Sequence, residues 1–191
     1  MNANMQAIKA DLARCTRRGI NNLLTWLLLW TGFALLALTG ASVAQRALVY
    51  ILGALLFWPL ALAIGRLLGV NLFARGNPLF LLYLLLSGLQ ILLLPLLVGT
   101  SFVGPEMVTW YLGITMGVQL LLFAWLYDSS AYLFSALGTM EVAALIGWLT
   151  PGIAYVAMPI AVLPVLAIST SFLLRENATA TKASTTPSVR S

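Results

Sequence analysis

The sequence predicts an all-α polytopic membrane protein, a bundle of six transmembrane helices with both termini on the cytoplasmic side. Three observations lead there. Of the 191 residues, 61% are hydrophobic and only 8% are charged, far below the roughly 25% charged residues of a soluble domain. The apolar residues fall into six runs of about 20, the length needed to cross a hydrocarbon core about 30 Å thick. Finally, lysine and arginine gather on one side of the alternating topology that these runs generate. In water such a chain would expose large apolar patches, so the solvent it is built for is lipid.

The expected spans are Ile20 to Thr39, Ala47 to Leu68, Pro78 to Val98, Met107 to Tyr127, Ala131 to Leu149, and Gly152 to Leu174. Turn chemistry separates them: Thr39-Gly40, Arg75-Gly76-Asn77-Pro78, Gly99 to Pro105, Asp128-Ser129-Ser130 and Thr150-Pro151-Gly152. Such short links force neighbouring spans to run antiparallel. Helices are required because lipid offers nothing to a free backbone amide or carbonyl. An even number of spans places Lys9, Arg14, Arg17, Arg18, Arg66, Arg75, Arg175, Lys182 and Arg190 on the side of the termini, and only Arg46 on the other. Positive residues stay in the cytoplasm.

Residues 1–19 form a basic segment ahead of the first span. Met5, Ile8, Leu12 and Cys15 recur at helical spacing there, and two readings stay open: an interfacial amphipathic helix or a disordered tail. Residues 175–191 are rich in Thr, Ser and Ala without apolar period and read as a disordered cytoplasmic tail. Ser42-Val43-Ala44 has the small-x-small form of a signal-peptidase site, but the preceding apolar run exceeds the 7 to 15 residues or so of a signal peptide. Leu94-Pro95 and Leu163-Pro164 fall at matching places in two halves of three spans, a faint hint of an inverted repeat.

Composition excludes several function classes. There is no histidine, so no Ser-His or Cys-His nucleophile pair exists, and no cofactor or metal site is implied. The lone Cys15 excludes an intrachain disulfide. No basic face interleaved with aromatics suggests nucleic acid; the partner implied is the bilayer itself. An enzyme is therefore not expected.

The candidate site is a polar seam at mid-membrane. Glu141 lies near the middle of the fifth span, where a charged side chain costs at least a few kcal/mol and usually faces the bundle interior. Gln90 and Gln119 lie at similar depth, and Tyr83, Ser87 and Gln90 share one helical face. Two functions remain open. A small transporter or channel-like protein would use Glu141 as a proton- or cation-coupling group with Gln119, Gln90, Ser87 and Tyr83. A non-catalytic structural or accessory protein would use the same residues only to fix helix packing, at about 0.6 to 2 kcal/mol per interhelical hydrogen bond. Ala131, Ser135, Thr139, Ala143 and Gly147 form a small-residue stripe nearly opposite Glu141, so the fifth span is expected to be covered on both sides. Gly113 and Gly117 form a GxxxG pair suited to packing or to a homo-oligomer. Pro59, Pro159 and Pro164 should kink their spans. Trp30 and Trp58 are expected to pack deep, whereas Trp26, Trp110, Trp125 and Trp148 lie toward span ends. Asp128 is expected to pair with Arg66 or Arg75.

Phe57-Trp58-Pro59-Leu60, Asn77-Pro78-Leu79, Gln90 with Pro95, Pro105-Glu106, and Gly117 to Tyr132 with Trp125, Tyr127, Ser129 and Tyr132 together resemble a family of small bacterial multi-pass membrane proteins of unknown function. The resemblance runs from about Arg14 to Leu174. It implies an inner-membrane protein and supplies no activity. That family often has His where Gln119 stands, followed by Pro, and this sequence departs at both places.

Overall fold

A computed structural model describes residues 3–71 and 76–185. Among the described residues nine α-helices follow in order: α1 (Ala3–Cys15), α2 (Ile20–Ala37), α3 (Val43–Leu67), α4 (Phe80–Ser87), α5 (Leu89–Leu92), α6 (Leu94–Val103), α7 (Val108–Tyr127), α8 (Ser130–Leu149) and α9 (Ala154–Thr185). No strand occurs among the described residues. Helices α2, α3, α7, α8 and α9 are long and apolar enough to cross a membrane. Their outward faces carry leucines such as Leu35, Leu55, Leu121, Leu137 and Leu174, all exposed, which only a lipid exterior accommodates.

Local chemistry sets the boundaries. A capping box starts α3: the Ser42 hydroxyl accepts from the Gln45 amide, and the Gln45 side chain accepts from the Ser42 amide. The helix therefore begins before the expected Ala47 and draws Arg46 into its first turn. Arg46 is buried there, its Nη2 donating to the Thr39 carbonyl at 2.6 Å and its guanidinium 5.1 Å from the Tyr155 ring centre. Ser42-Val43-Ala44 is thus helix cap and first turn. Pro59, Pro159 and Pro164 lie within helices that continue through them.

The third apolar run departs most from expectation. It is three short helices rather than one. The chain breaks at Gly88, a residue with low helix propensity, and again at Leu93, where Pro95 cannot donate an amide to the turn before it. Only Leu94–Val103 is a sizeable apolar helix in this stretch, and it is shorter than a membrane span. Pro95 sits at a break and Pro164 within a continuous helix, so the two Leu-Pro sites are not structurally equivalent.

The core is aromatic along α2 and α3. Trp26 stacks on Phe57 with centroids 4.4 Å apart, and Phe33 lies edge-on to Tyr50 at 4.8 Å. Trp30 is fully buried with its indole on the Met116 sulfur at 3.0 Å. Trp58, expected to pack deep, is on the outer surface instead, and Trp26, expected near a span end, is fully buried. Helices α7 and α8 pack along the small-residue stripe: Ala131, Ser135, Thr139 and Ala143 are buried, and Gly147 meets the Trp110 ring. A Cβ at Gly113 would lie 2.0 Å from the Met158 methyl, and one at Gly117 2.3 Å from Met140 Cγ. Both glycines thus serve packing within the chain.

Both flanking segments are helical. In α1 the burial is centred on Lys9, Leu12, Ala13 and Thr16, rotated from the expected face; Met5, Ile8 and Cys15 are half-buried. The helix lies on protein, not along a free leaflet. Lys9 Nζ donates to the Trp125 carbonyl at 2.5 Å and to Asp128 at 3.1 Å. Asp128 thereby takes Lys9 as its partner rather than Arg66; Arg75 lies outside the described residues. At the other end of the chain, α9 continues past Leu174 to Thr185 where a disordered tail was expected, and residues 186–191 lie outside the described region. Its Glu176 caps α8, accepting from Ser129 Oγ (2.7 Å), Ser130 Oγ (2.8 Å) and the Ala131 amide (3.1 Å), a favourable place for a carboxylate.

Asn77 fixes α1 from below, donating to the Ile8 carbonyl (2.9 Å) and to Asp11 (3.0 Å). With the Arg14 guanidinium 2.7 Å away, these donors hold the Asp11 carboxyl below its usual 3.8. A depressed carboxylate contributes stability above that unfolded value and loses it as pH falls through the folded one. The protection of α1 amides, measured as exchange relative to the intrinsic rate at each pH, is therefore expected to be constant above about pH 3.8 and to fall as the medium is acidified further. Asp11→Asn should abolish that pH dependence.

Candidate functional site

Mid-bundle, α2, α4, α5 and α7 converge on two glutamines. Gln119 projects from α7 and Gln90 from α5, and both are completely buried. Gln119 Oε1 accepts from Trp26 Nε1 at 3.1 Å and from Gln90 Nε2 at 3.3 Å, which fills both of its lone pairs. Gln119 Nε2 donates to the Leu86 carbonyl at 2.7 Å. Leu86 lies in the last turn of α4, where helix termination leaves carbonyls without a partner in the helix. Thr115 places its hydroxyl 3.5 Å from Gln90 Oε1.

A second polar layer adjoins the first. Asn22 Nδ2 donates to Ser87 Oγ at 3.3 Å, and Asn21 Nδ2 to the Ala61 carbonyl at 3.0 Å. Tyr83, buried, faces Asn21, Asn22 and Ser87. The amide oxygens of Asn21 and Asn22 are buried without a donor. Tyr83, Ser87 and Gln90 do share one face as the spacing predicts, although a helix break separates Ser87 from Gln90.

The structure does not bring Glu141 into this seam. Its side chain is exposed on the outer face of α8, and it forms no ion pair among the described residues. The expectation that α8 would be covered on both faces fails for the same reason. The stripe from Ala131 to Ala143 wins the interior because small residues let α7 approach closely, and Glu141, nearly opposite, is left outside. Gln90, Gln119, Ser87 and Tyr83 are together; the carboxylate that was to make them a proton pathway is elsewhere.

Sequence reasoning missed the α2 contribution. Asn21-Asn22 at the head of an apolar run, with Thr25 one turn on, is a polar run of the kind that marks an interior face, and Trp26 supplies the donor that Gln119 accepts. The seam holds no acid, base or nucleophile beyond amides and hydroxyls, so its chemistry is hydrogen bonding. Among the described residues no group of His, Cys, Asp or Glu could hold a metal.

Replacing Gln119 with Leu strips the acceptor from Trp26 and Gln90 and the donor from Leu86. The loss should be about 2 kcal/mol in chemical unfolding of the detergent-solubilised protein. Gln90→Leu combined with Gln119→Leu should cost less than the sum of the two, because each single change orphans the other amide.

A protein-family model matches residues 5–176 and describes a family of unknown function, DUF7010. No curated protein and no solved structure matches the chain.

Proposed function

The chain belongs to the DUF7010 family, and from that premise we propose that it is a structural or accessory protein of the bacterial inner membrane, without catalytic activity, whose amide seam locks helices together. The observation that carries this reading is the closure of the seam. Gln90 and Gln119 have no exposed surface and spend their hydrogen bonds on each other, on Trp26 and on a backbone carbonyl. A permeating solute needs polar groups that face a void, and the one midplane carboxylate points out of the bundle.

In this proposal the broken segment α4–α6 makes a third crossing, giving six spans with both termini in the cytoplasm. The contacts support it. The starts of α2 and α8, the residue Asn77 ahead of α4, the end of α7 and Glu176 of α9 gather at the end of the bundle that carries α1, through Tyr132–Gly19, Asn77–Ile8, Lys9–Asp128 and Glu176–Ala131. Arg46 joins the end of α2 to the start of α9 at the far end. Self-association through Gly113 and Gly117 would require Met158 and Met140 to move aside.

A second reading, a small transporter, is favoured by one feature: a discontinuous helix beside a buried polar layer is how transporters build binding sites, and the unpartnered Asn21 and Asn22 oxygens lie at that layer. Ser87→Cys in a Cys15→Ser background separates the two, since the thiol replaces the hydroxyl at nearly equal size. A closed seam predicts no labelling by a water-soluble maleimide in intact membranes. Labelling there would establish an aqueous path and overturn the packing reading. For topology, reporter fusions at the two termini should both report the cytoplasm; termini on opposite sides would remove the third crossing.

A further inference from the structure

At the end of the bundle where α1 meets α9, a cavity of about 940 Å³ opens between α1, the start of α2 and the extension of α9. Lys9, Arg14, Arg17 and Arg18 line it, with Asp128 as the carboxylate in its wall, and Leu24 and Leu174 continue its wall toward the apolar exterior. Three of the four cations have acidic partners: Lys9 with Asp128 at 3.1 Å, Arg14 with Asp11 at 2.7 Å, and Arg18 with Glu176 at a loose 3.9 Å. Arg17, exposed, has no acidic partner among the described residues.

The backbone here is strained. Arg17 (φ 48°), Arg18 (φ 51°) and Gly19 (φ 62°) form a left-handed turn, a conformation that Gly and Asn fill readily and a long side chain does not. At Arg17 the structural contact comes from the backbone, its carbonyl accepting from Asn177 Nδ2 at 3.0 Å; the Gly19 carbonyl accepts from Tyr132 Oη at 2.7 Å, and Arg18 Nη1 donates to the Glu176 carbonyl at 3.3 Å and to Asn177 Oδ1 at 3.2 Å. Asn or Gly at position 17 would supply the same carbonyl without the strain. The arginine side chain is thus held there against the backbone preference, with its charge uncompensated, beside two further guanidinium groups.

We propose that this cavity is a headgroup site for an anionic phospholipid. The phosphodiester sits among Arg14, Arg17 and Arg18, and an acyl chain runs along Leu24 and Leu174. Guanidinium groups match phosphate oxygens in charge and geometry, and basic pockets between membrane helices suit such headgroups. The cavity size fits a headgroup with its glycerol. The inference needs only that the chain sits in a bilayer and is independent of whether the amide seam is closed.

The test uses the full-length chain in neutral detergent, with thermal unfolding followed against added phosphatidylglycerol, phosphatidylcholine, or inorganic phosphate at matched ionic strength. Phosphatidylglycerol should raise the unfolding temperature, and the other two should leave it within error. In Arg17→Asn, unfolding without lipid should be as resistant as in the wild type or more so, while the phosphatidylglycerol midpoint weakens about fivefold. Adding Arg14→Gln should weaken it about fivefold again. An unchanged midpoint in Arg17→Asn, or equal stabilisation by phosphatidylcholine, would overturn the site. An equal response to inorganic phosphate would overturn the lipid in favour of a soluble phosphate group. Marked destabilisation of lipid-free Arg17→Asn would show the side chain to be structural and overturn the proposal. Native mass spectrometry of the wild type gives a check free of variants: retention of phosphatidylglycerol no greater than of phosphatidylcholine would also sink it.

Discussion

The bond from Gln119 to the Leu86 carbonyl resolves the problem that the rest of the bundle raises. A chain surrounded by lipid has to satisfy each backbone group within protein, yet the segment from Phe80 to Val103 is interrupted twice. Each interruption leaves carbonyls that a continuous helix would have used. Gln119 reaches across from α7 and closes one of them at 2.7 Å. It can do so only because Trp26 and Gln90 hold its oxygen end in place. A side chain with one polar end would leave one of these partners empty; an amide, with a donor and an acceptor on one short stem, serves all three helical segments. The same geometry explains why the two glutamines carry no sign of solvent access. The hydrogen bonds they make hold a broken segment against an intact one.

The two ends of the bundle are built differently. The end that carries α1 is a lattice of charged and polar contacts, among them Lys9 on Asp128 and the Trp125 ring, Glu176 on the head of α8, and Arg18 on Asn177. Surface ion pairs are individually weak, but Lys9 is almost entirely buried and its ammonium has three groups around it, so it is better read as a peg than as a surface charge. The opposite end relies on Arg46, which is buried with its Nε unpartnered and lies against an aromatic face. Charge therefore does more than orient the chain: on one side it forms the joints between helices.

Most of the helical framework was legible in the sequence, because apolar run length and turn residues are strong one-dimensional signals in lipid. Ile20, Tyr127 and Leu149 mark helix ends where the runs placed them. The break at Gly88 was not legible, since hydropathy reports what a segment avoids and not whether its helix is continuous. The position of Glu141 was misread for a related reason. A carboxylate at mid-span argues for the interior, but the stripe of small residues on the same helix argues for a close neighbour, and a helix has only one face to give to that neighbour. The family resemblance held as far as membership of a family of unknown function, and it supplied no activity. The seam's partners on α2 stayed hidden because Asn21 and Asn22 sit at a span boundary, where polar residues are ordinary. The helical extension past Leu174 was hidden because its composition is that of a solvated tail, and what orders its first turn is Glu176 and Asn177 gripping distant parts of the chain.

That grip has a consequence for biosynthesis. Residues 176 and 177 supply the cap of α8 and the amide that bonds to the Arg17 carbonyl. A ribosome has delivered helices α1 to α8 before either can be made. Until then the head of α8 stands uncapped and the turn after α1 lacks one of its fasteners. Each hydrophobic segment can enter the bilayer as it emerges, but this clasp closes only once α9 has been made. Integrity of the assembled bundle is thereby tied to synthesis of α9.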